Sequence, residues 1–124
     1  MKEEKEKFSL KKRAASFRFA FQGIKTLLQS EHNAWIHLTA TILVFCFGFY
    51  FKISSQEWMT VCFAIGFVFS MEIINTAFEK LCDFVSPEKH ELIKQIKDLS
   101  AAAVLIAAIT AFVIGCIIFI PKIV

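Results

Sequence analysis

Five polar side chains share one stretch of an otherwise apolar segment near the middle of the chain. Glu72 is followed at +3, +4, +7 and +11 by Asn75, Thr76, Glu79 and Asp83. At about 100° of rotation per residue, these positions share one side of an α-helix, which we call the polar face. Because a helix rises about 1.5 Å per residue, Glu72 is expected about 10 Å deeper than Glu79. Groups that accept protons and bind cations are therefore predicted to run inward from one end of this helix.

Glu72 is the most informative of these residues. It is the only charge between Trp58 and Phe78, and a charged side chain near the centre of a membrane span costs about 2.5–3.5 kcal/mol on insertion scales. A buried structural hydrogen bond is one explanation for Glu72, and ordinary solvated charge at a helix end is one for Glu79 and Asp83. The alignment of all five residues favours a bound polar ligand instead.

The chemistry that this pattern favours is phosphoryl transfer. The aligned carboxylates would repel one another without cations or protonation, and hard cations such as Mg²⁺ commonly bridge carboxylates to phosphates. Glu31 precedes the first apolar block and Lys97-Asp98 precedes the third, so they are expected at the same end of the molecule. Carboxylates, Mg²⁺ and a few lysines suit a reaction that depends mainly on positioning and charge neutralisation.

Other chemistries have little support in the sequence. The four glycines are scattered, so there is no Walker loop and no kinase glycine-rich loop. Any nucleotide has to be held by side chains and metal. The histidines show no zinc-ligand spacing, and the four cysteines are isolated, which is typical of small apolar residues rather than a disulfide framework. Glutamates and large phenylalanines interrupt the basic N-terminal segment, which argues against nucleic-acid binding.

Three apolar blocks are predicted to position these residues. They run from about Ala34 to Phe51, from Trp58 to Phe78 and from Leu99 to Ile120. A hydrocarbon core about 30 Å thick needs about 20 helical residues, and the blocks are too long and too uniform for strands. With 56% hydrophobic and 20% charged residues, the chain is predicted to be an all-α integral membrane protein. We expect one membrane domain over 1–124, with spans at 34–51, 58–81 and 99–120.

The positions of the basic residues predict the orientation. Of the 14 Lys and Arg residues, eight lie within residues 1–25 and four lie between the second and third spans, against only Lys52 and Lys122 on the other side. Such residues favour the cytoplasmic side in short flanking segments. The N-terminus and the linker between the second and third spans are therefore predicted to be cytoplasmic, in a multi-pass protein of the cell membrane.

Residues 9–30 are predicted to form an amphipathic helix before the first span. Phe17, Phe21, Ile24 and Leu28 recur at steps of four, three and four, beside a face that carries basic residues at steps of seven. An apolar face with a basic rim is typical of helices that lie on an anionic membrane surface. Packing of this helix on the protein's own spans is the alternative, and both arrangements are compatible.

The motif as a whole resembles a known family. The stretch Glu72-Ile-Ile-Asn-Thr-Ala-Phe-Glu79, followed by Asp83, His90 and Lys97-Asp98 before Ser100-Ala-Ala-Ala-Val104, resembles the signature of the prokaryotic diacylglycerol kinases. The resemblance covers the chain from about Phe17 to Lys122. Within the family, the sequence looks most like the undecaprenol kinases of Gram-positive bacteria. That likeness is carried by His37, the Glu57-Trp58 pair and the closing Ile118–Lys122 segment.

The resemblance implies the architecture and the roles of individual residues. It implies a homotrimer of three-span subunits whose active sites are shared between neighbours. Glu72 would be the base that takes the proton from a lipid hydroxyl, Glu31 and Glu79 would ligate the Mg²⁺ that bridges the ATP phosphates, and Asn75 and Asn33 would support the site. It further implies ATP contacts at Lys12, Phe19, Glu31, Glu79, Asp83, Glu88, Lys89, His90, Lys97 and Asp98. Phe19 stands where some members carry a tyrosine, so a hydroxyl contact is absent there.

The function expected from these residues is that of an ATP-dependent lipid kinase of a bacterial plasma membrane. The expected reaction transfers the γ-phosphate of ATP to a lipid alcohol, with undecaprenol giving undecaprenyl phosphate. One alternative substrate is diacylglycerol, which would give phosphatidic acid. Another alternative is a non-enzymatic membrane subunit or an ion pathway lined by Glu72. A pathway would have to continue beyond Glu72, where the second span offers only Thr60 and Ser70 as polar residues.

Overall fold

Four helices make up the part of the chain that the structure describes. The computed structural model of the protein describes residues 8–88 and 90–124. The helices are α1 (Leu10–Ser30), α2 (His32–Tyr50), α3 (Ser55–Val85) and α4 (Glu91–Ile123). The predicted all-α class is thereby confirmed for the part of the chain that the structure describes. The nucleotide contact predicted at Lys89 lies outside the described residues.

Three of the helices are long and apolar enough to cross a membrane, as predicted. They are α2, α3 and α4. With 31 and 33 residues, α3 and α4 are about 46 and 50 Å long, which exceeds the roughly 30 Å hydrocarbon core. Both helices therefore extend past the predicted spans 58–81 and 99–120, and their polar ends can reach beyond the hydrocarbon. Helix α4 also contains Pro121, which lies in the last turn of the helix.

The elbow between α1 and α2 is fixed by two hydrogen bonds. Glu31 is the one residue between the two helices, and it has extended backbone angles. It is the C-cap of α1 and the N-cap of α2. Its backbone N–H donates to the Leu27 carbonyl at 2.9 Å, and the Trp35 indole N–H donates to the Leu28 carbonyl at 2.7 Å. Leu27 and Ala34 are buried beside the turn. The elbow holds Glu31 at one end of the bundle.

The apolar face predicted for α1 is only partly covered by the chain itself. Phe17, Phe21 and Ile24 are exposed, whereas Leu28 is half-buried and Leu27 is buried. Helix α1 contacts α2 and α3, and its buried residue, Leu27, lies in its last turn. The first four turns of α1 therefore present large apolar side chains outward from the single chain.

The opposite end of the bundle contains an apolar core and one ion pair. Ile53, Val61 and Ile118 are buried together there, and Lys122 Nζ lies 3.0 Å from Glu57 Oε2. The start of α3 is closed by a capping box, in which Ser54 and Glu57 bond each other's backbone N–H. The end of α2, the start of α3 and the end of α4 therefore lie together, so the three helices alternate in direction. The elbow, the end of α3 and the start of α4 consequently lie together, and we call this the polar end.

Gly48 allows α2 and α3 to approach closely near the apolar core. The Trp58 ring packs against Phe45 and Phe49, with ring centroids 5.3 and 4.9 Å apart. A Cβ atom on Gly48 would lie only 2.6 Å from Trp58 Cη2. A Cβ atom on Gly66 would meet nothing within 4 Å.

We predict that Gly48→Ala lowers the melting temperature of the protein in detergent micelles. Overpacking costs about 1–3 kcal/mol, which exceeds the roughly 0.5–1 kcal/mol that alanine gains over glycine inside a helix. Gly66→Ala is the matched control and should be neutral or slightly stabilising. Equal melting temperatures for the two variants would contradict the close packing at Gly48.

Candidate active site

The polar face of α3 points into the bundle, and its burial increases with depth. Glu72 is fully buried, with 0% exposure, and Asn75 and Thr76 are each 6% exposed. Glu79 is half-buried and Asp83 is exposed. The five side chains therefore lead from the surface at the polar end to a carboxyl group inside the helices.

The two carboxylate oxygens of Glu72 have different surroundings. His37 Nε2 on α2 lies 2.9 Å from Glu72 Oε1, which is hydrogen-bond distance. The His37 ring is also set edge-on to the Phe69 ring, with centroids 6.4 Å apart. No described residue bonds Glu72 Oε2, although this atom is buried. The arrangement leaves one oxygen occupied and one oxygen free to accept a proton.

Asn75 connects the polar face to α4. Ser100 Oγ donates to Asn75 Oδ1 at 2.7 Å, and Asn75 Nδ2 donates to Glu79 Oε1 at 3.2 Å. Because both bonds use the same amide, the side chain of Asn75 is fixed in one orientation. Its role in supporting the site was expected from the family resemblance, and the contacts describe how such support would act on the Glu79 carboxylate.

Glu31 lies close to the carboxylates of the polar face. Burial raises the pKa of Glu31 above its ordinary value of 4.5, and the negative charges of Glu79 and Glu72 raise it further, while His32 lowers it. The elbow and α3 thus bring three acidic side chains near one another. This grouping was predicted from the shared depth of the residues. Mutual repulsion of their negative charges is its expected consequence.

A polar cavity of about 590 Å³ opens where α3 ends and α4 begins. Two ion pairs border it: Lys97 Nζ lies 2.6 Å from Asp83 Oδ1, and Lys94 Nζ lies 2.8 Å from Asp98 Oδ2. The other residues around it include Glu88 and His90. His90 also caps α4, since its Nδ1 accepts the Leu92 N–H at 3.1 Å. Five of the predicted nucleotide contacts therefore surround one cavity: Asp83, Glu88, His90, Lys97 and Asp98.

An apolar cavity of about 440 Å³ lies between α2, α3 and α4. His37 lines it, together with apolar side chains such as Val68, Phe69, Ala111 and Phe112. His37 therefore contacts the Glu72 carboxyl and also faces this cavity. A cavity with apolar walls and a few polar groups at one side is typical of a lipid or other apolar ligand site.

Glu31 and Glu79 fit the requirements of a magnesium site that is completed by a ligand. Among the described residues, no group of three or more His, Cys, Asp or Glu side chains forms a closed metal centre. Mg²⁺ commonly binds through one or two carboxylates together with substrate phosphates. The raised pKa of Glu31 reflects burial and accumulated negative charge, and a divalent cation would offset that charge. These two glutamates would hold the ion, which would neutralise phosphate charge when bound.

Three further predicted site residues do not line the polar cavity, and two residues that contact the polar face were not predicted from the sequence. Lys12 and Phe19 are on α1, where the Arg18 guanidinium lies 5.4 Å from the Phe19 ring centroid, and Asn33 is exposed at the start of α2. His37 and Ser100 were not predicted as site residues. His37 had a signal, because it interrupts the first apolar block; Ser100 had none, because its contact with Asn75 depends on the packing of α4.

A family model described as prokaryotic diacylglycerol kinase matches residues 18–119. Together with the three helices long and apolar enough to cross a membrane, this match defines the class of the protein as a membrane-bound kinase. The chain belongs to the prokaryotic diacylglycerol kinase family and is an ATP-dependent lipid kinase. The resemblance found in the polar-face motif is thereby confirmed.

Three characterised relatives illustrate the range within the family. The chain is 38% identical over 107 residues to an undecaprenol kinase of Bacillus subtilis, with 86% of this chain and 87% of the relative covered. It is 31% identical over 107 residues to a diacylglycerol kinase of Synechocystis, covering 86% of this chain and 61% of that relative. It is 32% identical over 99 residues to a diacylglycerol kinase of Escherichia coli, covering 80% and 69%.

We predict that Glu31→Gln stabilises the protein at neutral pH when Mg²⁺ and nucleotide are absent. A carboxyl group whose pKa is raised by folding binds its proton more tightly in the native state, so the free energy of unfolding falls as the pH rises from about 4.5 through the raised pKa. Glutamine removes this loss. The melting temperature of the variant should exceed that of the wild type at pH 7, and the difference should shrink near pH 4.5. Glu88→Gln, at an exposed position, is the control, and a Glu31→Gln melting temperature below that of the wild type at pH 7 would contradict the prediction.

Proposed function

We propose that this protein phosphorylates undecaprenol, using the γ-phosphate of ATP, at the polar end of the bundle. The observation that carries the proposal is the fully buried Glu72 carboxyl group, which has one oxygen without a partner among the described residues. On α3, Glu72 lies between Phe69, which lines the apolar cavity, and Asp83, which lines the polar cavity. The apolar cavity suits a lipid chain, and the polar cavity, with its lysines, suits a nucleotide. The identity to the undecaprenol kinase of Bacillus subtilis, higher than to the two diacylglycerol kinases compared above, favours undecaprenol.

Glu72 acts in this proposal as the general base. Its free oxygen takes the proton from the lipid hydroxyl, and the lipid oxygen attacks the γ-phosphorus as the bond to ADP breaks. General-base catalysis by a positioned carboxylate contributes about 10²- to 10⁴-fold in rate. Direct in-line transfer to the lipid hydroxyl is proposed, without a phosphoenzyme intermediate.

The remaining polar residues of the site hold the nucleotide. Glu31 and Glu79 are the proposed ligands of Mg²⁺, and the Asn75 amide keeps the Glu79 carboxylate in place. Lys97 is paired with Asp83 at the edge of the polar cavity, so phosphate binding would exchange one anionic partner of this lysine for another. Lys94 and Asp98 form a second such pair. Lys12 and Phe19, on α1, are proposed contacts that would approach the nucleotide from the elbow side.

The proposed setting is the bacterial plasma membrane, with the polar end in the cytoplasm. The excess of basic residues at that end supports this orientation. The exposed apolar side chains of α1 support its placement on the membrane surface. A homotrimer with active sites shared between subunits is proposed from the family resemblance, and the many large apolar side chains exposed by the single chain are compatible with contacts to both lipid and neighbouring copies.

Two alternatives differ in what they require of Glu72. Diacylglycerol as the substrate uses the same base and is supported by the diacylglycerol kinases among the relatives. An ion pathway would need polar groups on the far side of Glu72. The cavity that lies there is lined by predominantly apolar side chains, so a closed substrate pocket is favoured.

We predict that Glu72→Gln reduces kcat by about 10²- to 10⁴-fold, because glutamine keeps the shape of the side chain and cannot take the proton. The measurement is transfer of ³²P from labelled ATP to undecaprenol in mixed micelles. Glu57→Gln is the matched control, since Glu57 lies at the opposite end of the bundle, and it should retain activity. Wild-type turnover in Glu72→Gln would remove Glu72 from the role of base.

We predict that the wild-type protein has a higher kcat/KM for undecaprenol than for dioleoylglycerol in the same micelles. The two lipids present the same hydroxyl chemistry, so the comparison reports on the fit of the chain and headgroup. Both rates should depend on Mg²⁺. A higher kcat/KM for dioleoylglycerol would reassign the main substrate and leave the kinase chemistry intact.

A further inference from the structure

We infer that the Thr76 hydroxyl and Glu72 Oε2 together form the subsite that binds the hydroxyl oxygen of the lipid. The inference rests on the proposed role of Glu72 as the base and adds Thr76 as a second residue that contacts the reacting oxygen. The site is defined by two buried polar atoms that lack partners among the described residues, Glu72 Oε2 and Thr76 Oγ1.

The two atoms are neighbours on α3. Glu72 and Thr76 are four residues apart, so their side chains lie one above the other on the same face of the helix. Both side chains are buried, yet neither oxygen bonds the other or any other described group. Buried polar groups in proteins are nearly always hydrogen-bonded. Two such exceptions side by side indicate a place for one small polar group that is brought in from outside.

Thr76 differs from the other threonines of the chain. The five others, at positions 26, 39, 41, 60 and 110, each donate the hydroxyl to the backbone carbonyl four residues earlier, at 2.7–3.0 Å. This local bond is the usual way in which a helical threonine satisfies its hydroxyl. Thr76 makes no such bond, although its helix provides the same carbonyl. Its hydroxyl is therefore available to a ligand.

A lipid hydroxyl has the donor and acceptor groups that both atoms require. Its O–H can donate to Glu72 Oε2, because an ionised carboxylate only accepts, and its oxygen can accept from the Thr76 hydroxyl. His37 already occupies Glu72 Oε1 at 2.9 Å, so Oε2 is the oxygen that remains. His37 also lines the apolar cavity, where the chain of the lipid would extend.

The reaction balances with these contacts in place. The O–H bond of the lipid breaks and its proton moves to Glu72 Oε2. The lipid oxygen forms a bond to the γ-phosphorus as the bond from that phosphorus to the leaving ADP oxygen breaks. Throughout, the lipid oxygen keeps one lone pair for the hydrogen bond from Thr76, which stabilises the negative charge that develops when the proton leaves. Preorganised donors of this kind contribute about 10²- to 10³-fold in rate in other enzymes.

The test compares Thr76→Val, which keeps the shape and removes the hydroxyl, with Thr76→Ser, which keeps the hydroxyl. With the faster substrate of undecaprenol and dioleoylglycerol, Thr76→Val should lower kcat/KM for the lipid by about 10- to 100-fold and leave the KM for ATP unchanged. Thr76→Ser should stay within about three-fold of the wild type. Thr60→Val is the matched control on the same helix, because the Thr60 hydroxyl is bonded to its own backbone, and it should retain wild-type kinetics.

Stability separates this role from a structural one. Because the Thr76 hydroxyl has no partner among the described residues, its removal leaves no protein group unpaired. Thr76→Val should therefore melt at or above the wild-type temperature, and the rise in melting temperature that the lipid alcohol causes should be smaller in the variant. If Thr76→Val does not fold, that result itself assigns the hydroxyl to the fold and overturns the inference.

The outcomes also distinguish this inference from the proposed function. Wild-type lipid kinetics in Thr76→Val, combined with an inactive Glu72→Gln, would overturn the role of Thr76 and leave the base in place. Wild-type turnover in Glu72→Gln would overturn the base, and the subsite with it. If activity and melting temperature fall together in the two variants, Thr76→Val and Thr76→Ser, the hydroxyl serves stability instead.

Discussion

The hydrogen bond between His37 and Glu72 is the contact around which the site is organised. A carboxyl group inside a membrane-spanning bundle costs about 2.5–3.5 kcal/mol to place there, and the imidazole offsets part of this through one oxygen only. The other oxygen stays buried and without a partner among the described residues. The protein therefore keeps a half-satisfied carboxyl group inside the bundle. Such incomplete pairing opposes stability, and in the proposed mechanism it would serve the reaction, because a fully bonded carboxylate would be a poor base.

The surrounding architecture explains how charges of both signs come to the same place. Alternating helix directions place the elbow before α2, the end of α3 and the start of α4 at the polar end, so residues far apart in the chain become neighbours. Glu31 approaches the acidic residues of α3 and its pKa rises through burial and their charge, whereas Lys97 and Lys94 approach from α4 and form ion pairs with Asp83 and Asp98. Like charges therefore lie close together beside the elbow, whereas opposite charges pair at the edge of the polar cavity. A bound metal ion would offset the repulsion, and the phosphates of a bound nucleotide would compete with Asp83 and Asp98 for the lysines.

The two ends of the bundle show a division between stability and function. At the far end, Gly48 lets Trp58 pack closely, Glu57 is paired with Lys122, and the buried residues are apolar. Toward the polar end, two buried oxygen atoms lack partners among the described residues, and nearby negative charge raises the pKa of Glu31. Favourable packing at the far end therefore offsets a less favourable arrangement of polar groups nearer the polar end.

The sequence by itself determined the class of the protein and its three apolar helices, and it supplied the proposed site residues, whose roles stay predictions. Apolar block length is fixed by the thickness of the membrane, and a charge inside such a block is costly enough to be conspicuous, so Glu72 and the polar face could be identified from spacing alone. The tertiary structure decided which atoms of those residues are occupied. The packing of α2, α3 and α4 decides that His37 contacts one oxygen of Glu72 and that Ser100 fixes Asn75. It also decides that Thr76, alone among the six threonines, does not donate its hydroxyl to the carbonyl four residues earlier. The His37–Glu72 and Ser100–Asn75 contacts join residues 35 and 25 positions apart, and helical periodicity carries no information about which faces of different helices meet.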